Sequence, residues 1–518
     1  TEQDHAGGEI DFLRIAGSAA IIHDKALVAA RAMGWRGRDY KTIPLKWKVA
    51  ADRLFVAGIN QLVYHGFPYR DPAAECPEAY PFSDPHLPAS RSTSTNFSRI
   101  NEFWEFYPML NDYVTRCQHI LQQGKVVCNV ALFFPLLGYP DIPLGREELS
   151  CGYLDEDDAP LEGVDGGARE RWKRVAAKKW LKAERRCTDN LGANGYYYTH
   201  INEDSLLRGR VEGGKLLVGM AEIEAVIFNH IEHISLPLAR KLEEMAAGGV
   251  RIIFMGALPQ QQPGYSGYQD NDPRIKEIMR ALNEKEKAFV TEEKPTPVLK
   301  AKGVLPNLVF EREQRAIHYI HKQTADTDYY FLRSGSRFPQ RVRFSLPHGY
   351  RTPYVLDPFT GEVEEASVHE AVGDRLFLEL DFAPYGSFLL EMKDAPSTSR
   401  HHLLRGPPLR TGRVRSRLAA YAAKPGEYRF LLNSGEIKKV VPAALLPEPL
   451  SINRWQFATT CKDLRGREQR IELKMQRLED WREIPELEYC SSRGHYEAEF
   501  DVDESYLAAD LNLLLSLG

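Results

Sequence analysis

The stretch PLKWKVAADRLFVAGINQLVYHG, residues 44–66, decides the fold class. Leu45, Val49, Arg53 and Val56 fall at helical spacing, which predicts a helix over 44–57. Gly58 stops it, and Ile59 to Gly66 follows as a strand. Helix, glycine and strand in that order are the grammar of a parallel sheet or an α/β barrel. Upstream, Ala26 to Ala30 reads as a short buried strand. Downstream, residues 69–98 are rich in Pro, Ser and Asp and read as a loop of the long kind that is usually functional or mobile. Ile100 to Gln123 then reads as one amphipathic helix, with Phe103, Phe106, Leu110, Tyr113, Cys117 and Leu121 on one face and Gly124 at its end.

The α/β pattern restarts over 125–304. Val126 to Phe134 is a nearly continuous apolar run, as in a strand covered on both faces. Ala225 to Phe228 and Val250 to Met255 are further strands, and Leu236 to Ala247 is a helix closed by Gly248-Gly249. Glu147 to Gly167 is acidic and reads as an exposed insertion. No GxGxxG follows a strand, so nothing points to a dinucleotide site. From about residue 305 the period changes to two. Ala316–His321, Tyr329–Leu332, Val342–Leu346 and Leu376–Leu380 are strands of a β-sandwich. Residues 396–450 begin basic and continue with strands at Tyr428–Leu432 and Lys438–Val441. Trp455–Phe457, Gln469–Met475 and Tyr496–Phe500 suggest a second sandwich.

Across 518 residues the chain is 43% hydrophobic and 27% charged, the composition of an ordinary globular protein. A formal net charge of −5 makes no electrostatic case for nucleic acid. No apolar run approaches the roughly 18–20 residues of a membrane helix. Seven cysteines are scattered without a CxxC pair or zinc spacing, which argues against a dense disulfide framework. His200, His230 and His233 are not at zincin spacing.

Four stretches, in order, resemble glycoside hydrolases of the family 106 α-L-rhamnosidase type. They are Asp11-Phe12-Leu13-Arg14 through Ser18 to Ala30; Asp52 through Gly58-Ile59-Asn60 to His65; Arg99-Ile100-Asn101 and Trp104 with Tyr113 to Gly124; and Asn202-Glu203-Asp204-Ser205-Leu206. Asp357 to Gly361 and Pro384 to Ser387 look like the sandwich that follows the barrel in such enzymes. Leu478 to Trp481 and Tyr489 to Tyr496 resemble a galactose-binding-like jelly roll.

The resemblance implies a multidomain α/β plus all-β chain. Residues 1–123 would be the C-terminal half of a (β/α)8 catalytic barrel, and 124–304 an open-sheet α/β domain of Rossmann or amidotransferase type. A β-sandwich would follow at 305–395, a connecting β segment at 396–450 and the start of a jelly roll at 451–518. The expectation is a fragment, with the rest of its own polypeptide completing the barrel. The implied setting is secreted or periplasmic, and the implied partner is a carbohydrate. A calcium ion contacting sugar hydroxyls is likewise implied by the resemblance alone.

Glycoside hydrolysis needs two carboxyl groups, about 6.5–9.5 Å apart in an inverting enzyme. In a barrel they sit at the C-terminal ends of strands. The family pattern resembles small-small-Glu after the strand ending at Ala30; here that position is Arg31, and an arginine cannot serve as a base. The carboxyl candidates are Glu9, Asp11 and Glu105, with the general acid expected outside this chain. Candidates for holding the sugar are Arg31, Asn60, Tyr64, His65, Arg99, Asn101 and Trp104. Tyr64 and Trp104 would stack on C–H faces, although core packing is an equal reading. Asn101 would bind a hydroxyl or cap the helix. Three readings stay open: an inverting rhamnosidase, a non-catalytic glycan-binding relative, and an enzyme for a uronic-acid-containing sugar.

Overall fold

The computed structural model describes residues 6–34, 42–64, 97, 101, 103–135, 168–292, 294–349, 351–394, 401–405, 409–414, 417–422, 424, 426–441, 450–462, 467–488, 490 and 492–507. The stretch that opens the chain's logic is a βαβ unit. Strand β1 (Ala29–Ala32) pairs in parallel with β2 (Gln61–Tyr64), Arg31 opposite Val63, and helix α2 (Pro44–Val56) crosses between them. Pro44 opens α2 where its missing N–H costs nothing. Gly58, at φ 93°, turns the chain into β2. Helix α1 (Ala6–Ile22) crosses close by: a Cβ on Gly17 would lie 2.3 Å from the Ala57 carbonyl oxygen.

The long amphipathic helix is shorter than its periodicity suggests. Trp104–Phe106 forms a 3-10 turn, and α3 runs from Tyr107 to Leu121. Its buried face is Tyr107, Leu110, Tyr113, Val114, Cys117 and Leu121, while Phe106 is exposed. Pro108 fits only the first turn of a helix, which sets the start there.

The apolar run 126–134 is not one strand but two. Strand β3 (Lys125–Val126) joins a distant antiparallel sheet, and β4 (Val130–Phe133) starts a parallel one. That second sheet has five strands in the order β11-β10-β9-β4-β5. Its remaining members are β5 (Tyr198–Ile201), β9 (Ala225–Asn229), β10 (Arg251–Met255) and β11 (Ala288–Thr291). A meander of β6 (Arg210–Glu212), β7 (Lys215–Val218) and β8 (Ala221–Ile223) precedes β9. Helix α4 (Ala168–Ala193) carries β4 to β5, α5 (Glu203–Arg208) follows β5, α6 (Leu236–Ala247) and α7 (Tyr268–Glu284) flank β10, and α8 (Pro295–Ala301) closes the unit.

Two antiparallel sheets follow. One has the order β12-β15-β19-β18, from Val309–Phe310, Gln340–Leu346, Arg375–Phe382 and His369–Val372. The other has the order β17-β16-β20-β14-β13-β3, from Val363–Glu365, Thr352–Leu356, Ser387–Lys393, Thr327–Ser334 and Ile317–Gln323 with β3 at its edge. Phe331, Leu332, Phe344, Leu378 and Leu390 are fully buried in a core continuous with that of α1, α2 and α3. Smaller sheets complete the chain. Strand β21 (Leu403–Arg405) pairs with β24 (Tyr428–Leu432), which pairs with β25 (Ile437–Val440); β22 (Arg410–Val414) pairs with β23 (Arg417–Tyr421). Last come β26 (Trp455–Lys462), β27 (Glu468–Met475) and β28 (Gly494–Glu497). The final strand begins two residues before the span 496–500 read from the sequence and stops within it, at Glu497. A disulfide joins Cys461 to Cys490.

Candidate active site

Because β1 and β2 are parallel, their C-terminal ends open on the same side, where parallel-sheet enzymes place their sites. Met33, just past β1, is buried at φ 66°, a conformation unusual for a side-chain-bearing residue. Beyond the strand ends runs a wall of rings. Trp47 of α2 meets Tyr64 of β2 at 5.2 Å, Tyr64 meets Phe97 at 5.3 Å, Phe97 meets Tyr107 at 5.2 Å, and Tyr107 meets Trp104 at 6.1 Å. Trp47 is buried, whereas Trp104 at the far end is 36% exposed. The Tyr64 hydroxyl donates to Asn111 Oδ1 at 2.9 Å. Burial raises the Tyr64 phenol and pushes Tyr107 up to about 12, so both stay protonated at neutral pH.

The other candidates from the sequence divide sharply. Asn60 is not a sugar ligand: its amide nitrogen donates to the Ala26 and Leu121 carbonyls, and its oxygen accepts from Val28 N–H. All three bonds lock the lead into β1 against the end of α3. Asn101 neither reaches a cleft nor caps a helix beginning there; buried, it accepts from Phe103 N–H at 2.9 Å. Glu105 is an exposed ion-pair partner of Arg493, 2.8 Å away. Asp11 accepts from Thr188 of α4 and Tyr198 of β5, so it faces the five-stranded sheet and not the β1 and β2 ends. Arg31 is exposed on β1. His65, Arg99 and the Glu9 side chain lie outside the described residues, as do 147–167.

The motifs therefore resolve largely into fastening. Arg14 stacks its guanidinium over Tyr197 and Tyr198, 4.2 and 4.6 Å from the ring centres. Asp52 pairs with Lys48 at 2.7 Å and accepts from Tyr113 at 2.6 Å. Lys48 also donates to the Tyr385 carbonyl, and Tyr113 bonds Ser387. Arg116 donates to the Pro358 and Phe359 carbonyls. Asn202 caps α5 by accepting from Ser205 N–H, and Glu203 accepts from Ser235, itself the cap of α6.

A polar seam that sequence reading missed lies under α4. Glu184 accepts from Asn229 at 2.7 Å, and Asn229 Oδ1 bonds His230 Nδ1 at 2.8 Å. Burial pushes Glu184 up to about 8 and His200 down to about 3, so both are neutral at pH 7. Burial likewise raises Asp11, against the lowering effect of its hydrogen bonds and Arg14. The available signal was Glu184 and Thr188 falling at helical spacing with Cys187 and Leu191 on the buried side of a strongly charged helix.

Two clusters among the described residues could gather round an ion: His321, Asp328 and His348, and Glu365, His369 and His402. Both lie in or beside the two large antiparallel sheets. In the first, one carboxylate already binds most of the set: His321 Nε2 meets Asp328 at 2.5 Å, Tyr330 meets His348 at 2.8 Å and Arg351 meets Asp328, while the buried His321 Nδ1 has no partner among the described residues. In the second, the two rings stack at 3.6 Å and 17°, so their lone pairs lie in two nearly parallel planes and do not meet at one point. Calcium takes six to eight oxygen ligands, and neither set, with one carboxylate each, fits it. Among the described residues the β1 and β2 ends gather no such cluster either.

The fold is shared with the rhamnosidase of Novosphingobium sp. PP1Y, at a TM-score of 0.60 and 18% identity over 96% of this chain and 40% of that one. A curated protein of Formosa agariphila named "Putative beta-glucuronidase" is 20% identical over 366 residues, 70% of this chain and 26% of its own length. The chain thus spans less than half the length of either relative. The family model described as alpha-L-rhamnosidase matches residues 2–136 and 185–370, well over half of the sequence and all four motif stretches. The chain belongs to the alpha-L-rhamnosidase family of glycoside hydrolases, Glyco_hydro_106.

Proposed function

We propose that the protein is an inverting exo-glycosidase that removes a terminal α-L-rhamnose, or a closely related sugar, from an oligo- or polysaccharide. The observation that carries this is the coincidence of the family match with an aromatic wall at the parallel strand ends. On this reading β1, α2 and β2 belong to the closing part of a (β/α)8 barrel, and the last three-stranded sheet to a galactose-binding-like jelly roll. Trp104 would stack on the C–H face of the sugar. Tyr64 and Tyr107, kept protonated, would serve as hydrogen-bond partners and not as bases. Arg31 takes no part in proton transfer. Neither Asp11 nor Glu105 is offered as a catalytic carboxyl, because each is tied to another element, so the acid and base are assigned to residues beyond those described. The Cys461–Cys490 bridge supports a secreted or periplasmic setting, where disulfides persist.

A specific observation favours a second reading, a glycan-binding relative without catalysis: Arg31 stands where a carboxyl is expected, and Asp11 and Glu105 do not replace it. The test is incubation of the complete polypeptide with rhamnose-capped oligosaccharides, with and without a calcium chelator. Released rhamnose supports the hydrolase; binding without release from any rhamnoside favours the second reading.

A further inference from the structure

Charge is distributed very unevenly along this chain. Residues 400–441 hold seven arginines and three lysines against two glutamates, a formal +8, although the whole chain stands at −5. The segment folds as one small body docked on Val368, just before β18: Leu403, Phe430 and Leu432 share its core with Val368, and Leu409, Leu418 and Tyr428 pack around them. That core is too small to bury cations, and it does not. Arg405 and Arg429 are each 67% exposed and Lys439 is 58% exposed; Arg417, Lys424 and Lys438 are exposed as well.

The arrangement works against the stability of its own sheet. Arg429 of β24 sits directly opposite Lys439 of β25, and both lean on one carboxylate, Glu427, at 2.8 and 3.8 Å. Like charges directly opposite across strands are destabilising. Lysine on an edge strand is a common guard against edge-to-edge pairing, and β25 is such an edge. Arg405 of β21 and Arg417 of β23 lie on edge strands too, but a guard needs only charge, of either sign, and does not explain why nearly all the charge here is positive. Apolar groups alternate with the charges, Ile437, Val440 and Tyr421 being exposed.

We propose that this body, β21 to β25, docks a polyanionic polysaccharide through its carboxylate or sulfate groups. Arginine forks match both anions, and the interleaved apolar side chains suit sugar C–H faces. Preference for a saccharide over nucleic acid rests on the family membership, and on Tyr421 being the one large exposed aromatic among the described residues of β21 to β25, too few for base stacking. The proposal is independent of whether the strand-end site is catalytic.

The experiment is affinity electrophoresis of the whole protein in gels containing polygalacturonate, dextran sulfate, neutral dextran or single-stranded DNA, at low and high salt. Expected is retardation by polygalacturonate, dextran sulfate or both, weakened by salt, and none by dextran; the first two arms separate carboxylate from sulfate recognition. The double variant Arg429→Glu, Lys439→Glu should lose about tenfold in affinity while its activity on a small rhamnoside, or its binding of one, stays at the parent level. Arg417→Glu provides a second reading if the double variant misfolds. No retardation by either polyanion, equal retardation by DNA or dextran, or undiminished affinity in the folded variants overturns the proposal.

Discussion

At the scale of single residues, hydrogen-bonding capacity decides function more firmly than residue type. Asn60 has four hydrogen-bonding sites on its side chain, and three are taken by main chain from two other segments. Asn60→Ala should therefore lower stability by about 3 kcal/mol, three bonds at about 1 kcal/mol each, read as a fall in the urea midpoint; a loss of sugar affinity at unchanged stability would contradict this. Glu184 makes a prediction with a definite sign. Its folded pKa, about 8, lies above the ordinary value of 4.5. Its stabilising contribution is therefore complete below about pH 4.5 and is lost as pH rises through about 8. Asp11 has the same sign and His200 acts mainly below pH 6.5, so the measurement must be a difference. Amide exchange in β9 should speed up between pH 6 and 8.5, after correction for intrinsic rates. Glu184→Gln, which keeps an acceptor for Asn229, should remove most of that acceleration. Equal pH dependence in both proteins would mean that Glu184 is ionised in the fold.

At the scale of elements, sequence periodicity locates structure well where one neighbour covers one face. Helix α6 and strand β24 coincide with the spans read from sequence, and α2 differs by a residue at its end. Where a run serves two sheets, periodicity carries no warning: 126–134 is uniformly apolar, yet β3 and β4 face different partners. The same limit applies to the site. Tyr64 was legible as a ring at a strand end and Trp104 as a ring near a helix start, but the tethering of Asp11 to α4 and β5, 177 and 187 residues away, is a tertiary fact with no local signature. Helix α3 shows what such tertiary work does. Gln118 accepts from Leu62 N–H at 2.6 Å, and one turn on Gln122 donates to the Asn60 carbonyl at 2.9 Å. Gln118→Ala should leave α3 intact and accelerate exchange at the Leu62 amide. Gly17→Ala tests the approach of α1 to α2. Alanine is favoured over glycine inside a helix by about 1 kcal/mol, but the new methyl would lie 2.3 Å from a backbone oxygen that cannot swing away. The clash should win, with a net loss above about 1 kcal/mol; a more stable variant would show that α1 and α2 are farther apart.

At the scale of the whole molecule, the cores are unequal, and so should be their resistance to unfolding. One apolar cluster runs from α1 through the parallel sheet into the two large antiparallel sheets, whereas among the described residues the last three strands and the turns beside them bury Phe457, Ile471, Ile484 and Leu487, with six partly buried neighbours. A core that small is marginal in its own right. The disulfide between Cys461 and Cys490, 29 residues apart, restricts the unfolded chain and contributes about 3–4 kcal/mol on the loop-entropy estimate. The three free cysteines of the described part, Cys117, Cys128 and Cys187, are buried in other cores. Burial raises their thiols, so they are poor partners for exchange. Mild reduction should therefore act locally. Limited proteolysis after reduction is expected to open cuts within 455–497 while 225–390 stays protected, and Cys461→Ser with Cys490→Ser should reproduce the pattern without reductant. Peptide mapping under non-reducing conditions should recover the two cysteines linked when the protein is made in an oxidising compartment. If reduction left 455–497 as resistant as before, the small core would suffice alone and the bridge would add little.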